Sequence, residues 1–410
     1  MLGNEAVARG AYEAGARVVA SYPGTPSTEI TEFAAGYPEL DCQWGPNEKV
    51  AVEVAFGAAM AGARSMTCMK HVGVNVAADP LFTAAYTGVS GGLVVVCADD
   101  PGMHSSQNEQ DSRYYARAAH IPMLEPADSQ ECKNYTKLAF QISEEYDTPV
   151  FLRLTTRIAH ARSLVTVEER EEAPVKPYRR DVMKYVMMPG MARKRHLAVE
   201  ERMKALAEDV EALPFNREEI RGEELGIICS GVCYAYVREA LPEASVLKLG
   251  LVHPLPKERI AAFAKKVRRL VVIEELEPII EEQIAALGIS VEGKNLTGLQ
   301  GELSVSRLRG IFAGDMQAAP ADAALPPRPP VLCPGCPHRG AFYAMKKLNL
   351  TVLGDIGCYT MAALPPMSML DACLCMGASI GMAFGAEKAQ GKAFSRKAVA
   401  VLGDSTFIHS

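Results

Sequence analysis

Ala16-Arg17-Val18-Val19-Ala20-Ser21 runs straight into Tyr22-Pro23-Gly24-Thr25-Pro26-Ser27-Thr28-Glu29. A short run of small and β-branched apolar residues reads as a buried strand. The turn that follows predicts a helix start, with Thr25 as its cap and Pro26 in the first helical position, where a missing N–H leaves nothing unsatisfied. Strand, tight turn and helix together place polar groups at the carboxyl end of a sheet, although a plain βα turn has the same composition. The rhythm repeats outward from there. Apolar runs occupy residues 65–69, 93–98 and 149–154, with helical stretches at 47–62 and 129–145 between them. Buried strands alternating with helices predict an α/β fold with a mostly parallel sheet covered on both faces.

From residue 166 the pattern breaks. Residues 166–223 are rich in Glu, Arg and Lys and are punctuated by Pro174, Pro177, Pro189 and Pro214, which reads as a linker wrapping a surface; residues 191–213 are polar enough for an exposed helix. A second α/β unit opens at Leu225-Gly226-Ile227-Ile228-Cys229-Ser230-Gly231 and continues through the apolar runs 245–249 and 270–274. The stretch Leu325-Pro326-Pro327-Arg328-Pro329-Pro330 predicts an extended connector, after which a third unit starts at Val331. Its final apolar run, residues 398–402, reads as a buried strand. A chain of 410 residues accommodates such a division. No fixed-period repeat is present.

With 49% hydrophobic and 22% charged residues the composition is that of an ordinary globular protein. A net charge of -6 argues against nucleic acid or an anionic membrane as an obligate partner. No apolar run reaches the roughly 18 residues of a membrane span. Met1-Leu2-Gly3-Asn4-Glu5 lacks the basic and apolar segments of a secretory leader. Eleven cysteines, an odd number scattered through apolar runs, suit a reducing cytoplasm better than a disulfide framework.

Four further motifs carry chemistry. In Trp44-Gly45-Pro46-Asn47-Glu48-Lys49, Asn47 is a natural helix cap and Glu48 falls in the first turn. Such a glutamate ordinarily favours the helix dipole in solvent. The helix behind it is apolar nearly all round, which predicts burial, and a carboxyl at its mouth would lose water and hold its proton. Cys333-Pro334-Gly335-Cys336-Pro337-His338 is half a zinc site by spacing, but no matching second pair exists, so a turn opening a domain competes with it. Gly354-Asp355-Ile356-Gly357-Cys358-Tyr359 follows a strand, and Met376-Gly377-Ala378-Ser379 opens a glycine-rich helix whose N-terminus would favour a phosphate. Gly403-Asp404-Ser405 sets an aspartate just past a strand, a placement suited to Mg²⁺ on a diphosphate.

In this order the motifs resemble the thiamine-pyrophosphate-dependent 2-oxoacid:ferredoxin oxidoreductases. Lys70-His71-Val72-Gly73-Val74-Asn75 and the long stretch from Asp99-Asp100-Pro101-Gly102-Met103-His104 to Asp111-Ser112-Arg113 are similar to the indolepyruvate branch of that family. The resemblance spans essentially the whole chain. It implies a pyrimidine-binding domain at 1–165, the charged linker at 166–223, a transketolase-C-like domain at 224–320 and a diphosphate-binding domain at 321–410. Glu48 matches the family glutamate that hydrogen-bonds the coenzyme's aminopyrimidine and so activates it. Thr25 matches a threonine near the substrate keto and carboxylate groups. Arg113 is placed like an arginine that grips the substrate carboxylate, with a surface ion pair to Asp111 or Glu109 as the competing reading. Lys70, His71 and His104 stand behind these, because a satisfied core histidine explains them equally well. Cys336 and His338 resemble residues flanking the coenzyme. Asp355, Gly357 and Cys358 resemble its thiazolium or diphosphate loop, and Gly403, Asp404 and Ser405 its Mg²⁺ motif, with Asp404 as metal ligand.

The activity so implied is oxidative decarboxylation of aryl pyruvates such as indolepyruvate, with CoA taking the acyl group and ferredoxin the electrons. A smaller β subunit, a dimer of heterodimers, and 4Fe–4S clusters go with it. A non-oxidative thiamine-pyrophosphate decarboxylase or synthase, and a non-catalytic fragment, are the alternative readings. The sequence departs from the family in two respects. Its last residue, 410, lies six positions after Asp404 (410 − 404), before the asparagine that completes the metal motif, and it has no Cys-x-x-Cys-x-x-Cys-x-x-x-Cys-Pro run for clusters. The expectation is an incomplete sequence, inactive alone.

Overall fold

Leu93-Val94-Val95-Val96-Cys97-Ala98 is apolar at every position because its strand is covered on both faces. The computed structural model describes residues 1–213, 215–314 and 330–409, in two units, Met1–Ala319 and Pro320–Ser410. Pro214 and residues 325–329 of the expected connector lie outside the described residues. In the first unit β1 (Val18–Ser21), β2 (Asp41–Trp44), β3 (Ser65–Lys70), β4 (Leu93–Asp99), β5 (Met123–Leu124) and β6 (Val150–Thr155) are mutually parallel. Val94, Val96 and Ala98 of β4 pack with α1 (Gly3–Glu13), α2 (Thr28–Ala34) and later helices on one face. Leu93, Val95 and Cys97 pack on the other with α3 (Glu48–Met60) and α4 (His71–Thr87). Period-two alternation between two apolar layers is why no polar residue interrupts the run.

β7 (Arg217–Glu219), β8 (Leu225–Ser230), β9 (Ser245–Leu249) and β11 (Arg269–Ile273) form a second sheet in the order β11-β8-β9-β7. Between β9 and β11 the chain returns to the first sheet as β10 (Leu251–His253), pairing antiparallel with β5. The first sheet therefore has seven strands, ordered β10-β5-β6-β4-β3-β1-β2. The apolar layer around α3 and α4 continues into Ile228, Leu247, Val272 and Ile280, so the two sheets share one core. Within the charged segment, residues 166–180 form no regular element, and Pro189–Asp209 is a largely exposed helix anchored by Val199, Arg202 and Leu206.

The second unit has three described strands, β12 (Thr351–Gly354), β13 (Ala372–Cys373) and β14 (Ala398–Ala400), parallel and ordered β13-β12-β14. Its buried apolar core is Leu332, Phe342, Val352 and Ala362. β14 is half-buried rather than buried as expected, because it is an edge strand.

Candidate active site

The chain leaves β1 towards β2 on one side and β3 on the other, and the helices that follow β1 and β3 lie on opposite faces. Such a switch point opens a crevice at the carboxyl ends of the strands. Register between β1 and β3 holds only for Val18↔Ser65 and Val19↔Met66. Farther along, the Cys68 N–H donates to Ser21 Oγ at 3.1 Å instead, and the Thr31 hydroxyl donates to the same oxygen at 2.7 Å.

The loop after β1 is a closed turn. Ser27 N–H and Ser27 Oγ both donate to the Gly24 carbonyl at 2.9 Å, Gly24 N–H donates to Thr28 Oγ1 at 2.8 Å, and the Thr25–Pro26 peptide is cis. The helix therefore begins at Thr28 behind Ser27, and Thr25 is exposed rather than capping it. That corrects the cap expected from sequence. The turn lies on β3, since a Cβ added to Gly24 would come within 3.1 Å of Lys70 Cβ.

Asn47 does cap α3, its Oδ1 accepting the Val50 N–H at 3.0 Å. Glu48 follows, half-buried against α4; a Cβ on Gly73 would stand 2.6 Å from Glu48 Oε1, so glycine there leaves room for the carboxyl. Burial pushes this carboxyl above its ordinary value, opposed by an interaction with its own backbone N–H. α3 is not buried all round as expected. Ala51, Val52, Ala55 and Ala59 face the core, while Val54, Phe56 and Ala58 stay half-exposed, because the first unit covers only one side of the helix.

Lys70 ends β3 and His71 opens α4. Lys70 is 8% exposed and His71 1%. Lys70 Nζ donates to the Ser105 carbonyl at 2.5 Å, and burial pulls its pKa down against the nearby Asp100. Asp100 is itself occupied, accepting from Ser105 N–H at 2.8 Å, Ser106 Oγ at 2.6 Å and Thr156 Oγ1 at 2.6 Å. Burial works to raise the Asp100 carboxyl, but these donors outweigh it and hold it below its ordinary value. His71 is kept neutral by burial, and neither ring nitrogen has a hydrogen-bond partner. His104, by contrast, is exposed at the surface and 3.3 Å from Glu302.

Arg113 is 2% exposed, and its ion pairs are internal rather than on the surface. Nε and Nη2 grip Asp111 at 2.9 and 2.5 Å, and Nη1 reaches Glu274 at 2.5 Å. Nη2 also donates to the Glu275 and Glu277 carbonyls at 2.9 Å. Every guanidinium nitrogen is thus engaged inside the chain. These bonds clamp the loop after β4 to the second sheet.

In the second unit Asp355 is fully buried, its Oδ1 accepting Ile356 N–H at 2.8 Å and Gly377 N–H at 2.9 Å. That sets the Gly357–Cys358 loop beside the start of the Ala378–Gln390 helix. The Tyr359 hydroxyl lies 3.2 Å from the Ile356 carbonyl and accepts Gly403 N–H at 3.0 Å, tying the two glycine loops together. Cys336 Sγ is 3.4 Å from His338 Nδ1, and the His338 ring stands edge-on to Tyr359. Asp404 is exposed at the start of Asp404–His409, its Oδ1 accepting Ser405 N–H at 2.8 Å. Asp404 and Ser405 offer oxygen only, which fits a small hard cation whose remaining ligands come from a diphosphate. Among the described residues no three His, Cys, Asp or Glu side chains surround one point, so an iron–sulfur cluster does not fit them. All eleven cysteines are free thiols. No helix among the described residues is long and apolar enough to cross a membrane.

Sequence reading placed Tyr359 and Gly377 in motifs without giving either a role of its own, and it ranked Lys70 and His71 low. An aromatic hydroxyl four residues after a motif aspartate was the available signal for Tyr359; nothing in the sequence marked His71 as unpartnered.

The profile described as "Pyruvate flavodoxin/ferredoxin oxidoreductase, thiamine diP-bdg" matches residues 9–209, and "Thiamine pyrophosphate enzyme, C-terminal TPP binding domain" matches 355–410. The chain is 42% identical to the "Indolepyruvate oxidoreductase subunit IorA" of Archaeoglobus fulgidus, over 100% of its own length and 71% of that protein's. It is 39% identical to the protein of that name from Thermococcus kodakarensis, with the same coverage of 100% and 71%. In fold it is similar to a 2-oxoglutarate:ferredoxin oxidoreductase from Magnetococcus marinus, with TM-score 0.61, 18% identity, and coverage of 77% of this chain and 65% of that one. A split-gene transketolase matches with TM-score 0.52, 16% identity and coverage of 77% and 96%.

Proposed function

Because this chain belongs to the family of indolepyruvate oxidoreductase IorA subunits, a thiamine-pyrophosphate-dependent oxidoreductase family whose members work as subunits of larger assemblies, we propose that it is the large subunit of an enzyme that decarboxylates aryl pyruvates oxidatively. In that reaction the bond between the keto carbon and the carboxylate breaks and CO₂ leaves. The CoA sulfur bonds the acyl carbon and gives up its proton, and two electrons pass singly to ferredoxin. Indolepyruvate would yield indoleacetyl-CoA. A smaller β subunit completes the complex, in which we expect a dimer of heterodimers.

Bound thiamine pyrophosphate supplies a nucleophilic carbon and an electron sink for the 2-oxoacid. Glu48 would hold the aminopyrimidine through a hydrogen bond, with burial favouring its protonated form, and Gly73 keeps the space it needs. Asp355, through Gly377, and Tyr359, through Gly403, shape the loops we assign to the diphosphate. Cys336, His338, Gly357 and Cys358 would flank the coenzyme, and Asp404 with Gly403 and Ser405 would hold Mg²⁺. Thr25 stands exposed at the switch point, where a hydroxyl would meet substrate. The pyrimidine-binding, transketolase-C-like and diphosphate-binding assignments to 1–165, 224–320 and 321–410, with 166–223 as linker, are part of this proposal.

The observation that carries the reading is Glu48, a carboxyl raised by burial, set against Gly73 in the first turn of α4. Glu48→Gln in the complex with its partner subunit should lower the rate of indolepyruvate-dependent viologen reduction by about 10²- to 10⁴-fold, the usual contribution of a positioned proton-transfer group. Full activity in that variant would overturn the reading. CO₂ release that needs neither CoA nor an electron acceptor would make the enzyme a simple decarboxylase instead.

A further inference from the structure

Lys70 carries three N–H donors in a nearly dry setting and uses one, on the Ser105 carbonyl. No carboxylate pairs with it directly among the described residues, and Asp100, whose charge acts on it through space, is filled by three other donors. Next to it His71 is almost fully buried, yet both ring nitrogens are unpartnered; the Asn108 backbone approaches the ring without completing a hydrogen bond. Unpaired buried cations and orphaned imidazoles are each costly, and both stand here side by side. They sit at the carboxyl end of β3, with the Gly24 turn against Lys70 and Glu48 against the first turn of α4. The arrangement lacks an anion with an adjacent hydrogen-bonding oxygen.

We propose that Lys70 and His71 receive the head group of the 2-oxoacid, Lys70 taking the carboxylate and His71 donating an N–H to the keto oxygen. This rests on the function proposed above and moves the carboxylate-binding task from Arg113 to Lys70. A neutral imidazole suits the keto oxygen, because it donates without adding a second charge beside the ammonium, and burial keeps it neutral. The loop after β4, held by Ser105 on Lys70, closes over the pair.

The test uses the complex with its partner subunit, thiamine pyrophosphate and Mg²⁺. Lys70→Met should raise KM for indolepyruvate by about 10- to 100-fold, the worth of one charge-assisted hydrogen bond. It should leave thiamine pyrophosphate binding and KM for CoA unchanged. Indolepyruvate methyl ester lacks the charge, so its inhibition constant should be the same in both proteins, and Lys70→Arg should restore part of the affinity. His71→Ala should lower kcat, with His71→Asn recovering some of it. A wild-type complex that turns over no 2-oxoacid sinks the parent reading and this inference with it. A working wild type beside a Lys70→Met variant with unaltered KM, or with ester and acid weakened equally, overturns this inference alone.

Discussion

Lys70 and Arg113 are both buried cations within reach of the loop that follows β4, and their surroundings are opposite. Arg113 has Asp111, Glu274 and two carbonyls around it, with no nitrogen left over. Lys70 has one carbonyl and, among the described residues, no carboxylate in direct contact; Asp100 acts on it only through space. A buried charge whose partners all come from its own chain is framework, since folding alone completes it. A buried charge left incomplete by folding either gives up its charge, the direction in which burial pulls Lys70, or is completed by something else, as in a binding site. Residue type separates the two poorly, and the partner inventory separates them well.

The largest effect should come from breaking the complete side. Arg113→Ala strands Asp111 and Glu274 as buried carboxylates and should lower the unfolding free energy by about 3–5 kcal/mol, read by denaturant melts. A loss below about 1 kcal/mol would dissolve the contrast with Lys70.

A somewhat smaller effect is expected at Glu275, which is 5% exposed and accepts the Leu303 N–H at 2.9 Å. Burial pushes its carboxyl up from 4.5 to about 7. Since the folded state holds this proton more tightly than the unfolded chain, the stabilisation is fully present below pH 4.5 and is lost as pH rises through about 7. The swing is on the order of 3 kcal/mol, from 1.36 kcal/mol per unit. Glu275→Gln should flatten that slope between pH 4.5 and 7 in unfolding curves. An unchanged slope would show that other groups set it.

The smallest effect on stability should be at Lys70. Lys70→Met removes an uncompensated charge and keeps the stem's volume, so the ligand-free protein should change by less than about 1 kcal/mol, in either direction. A loss matching that of Arg113→Ala would mean Lys70 is framework too.

Much of this was legible beforehand. β4 reads as a doubly covered strand because its alternating positions are all apolar, and Asn47 reads as a cap because its side chain can reach Val50 without help from the fold. Local rules failed where two of them competed. Thr25-Pro26 satisfies the pattern for a capped helix start, but hydrogen bonds among Gly24, Ser27 and Thr28 closed a turn first and moved the helix onward. The even apolar surface of α3 predicted burial on all sides, whereas the first unit supplies one covering face.

By itself the amino-acid order determined the α/β class, the strand-turn-helix rhythm, the capped helix bearing Glu48 and the motif order that marks the family. These depend on residues a few positions apart, whose periodicity and capping chemistry act before distant parts of the chain meet. Only the tertiary structure decided which charges are satisfied. Glu274 reaches Arg113 across 161 positions, and Ser105 reaches Lys70 across 35. Solvation and partner count are properties of the assembled space around a group, so no local pattern carries them.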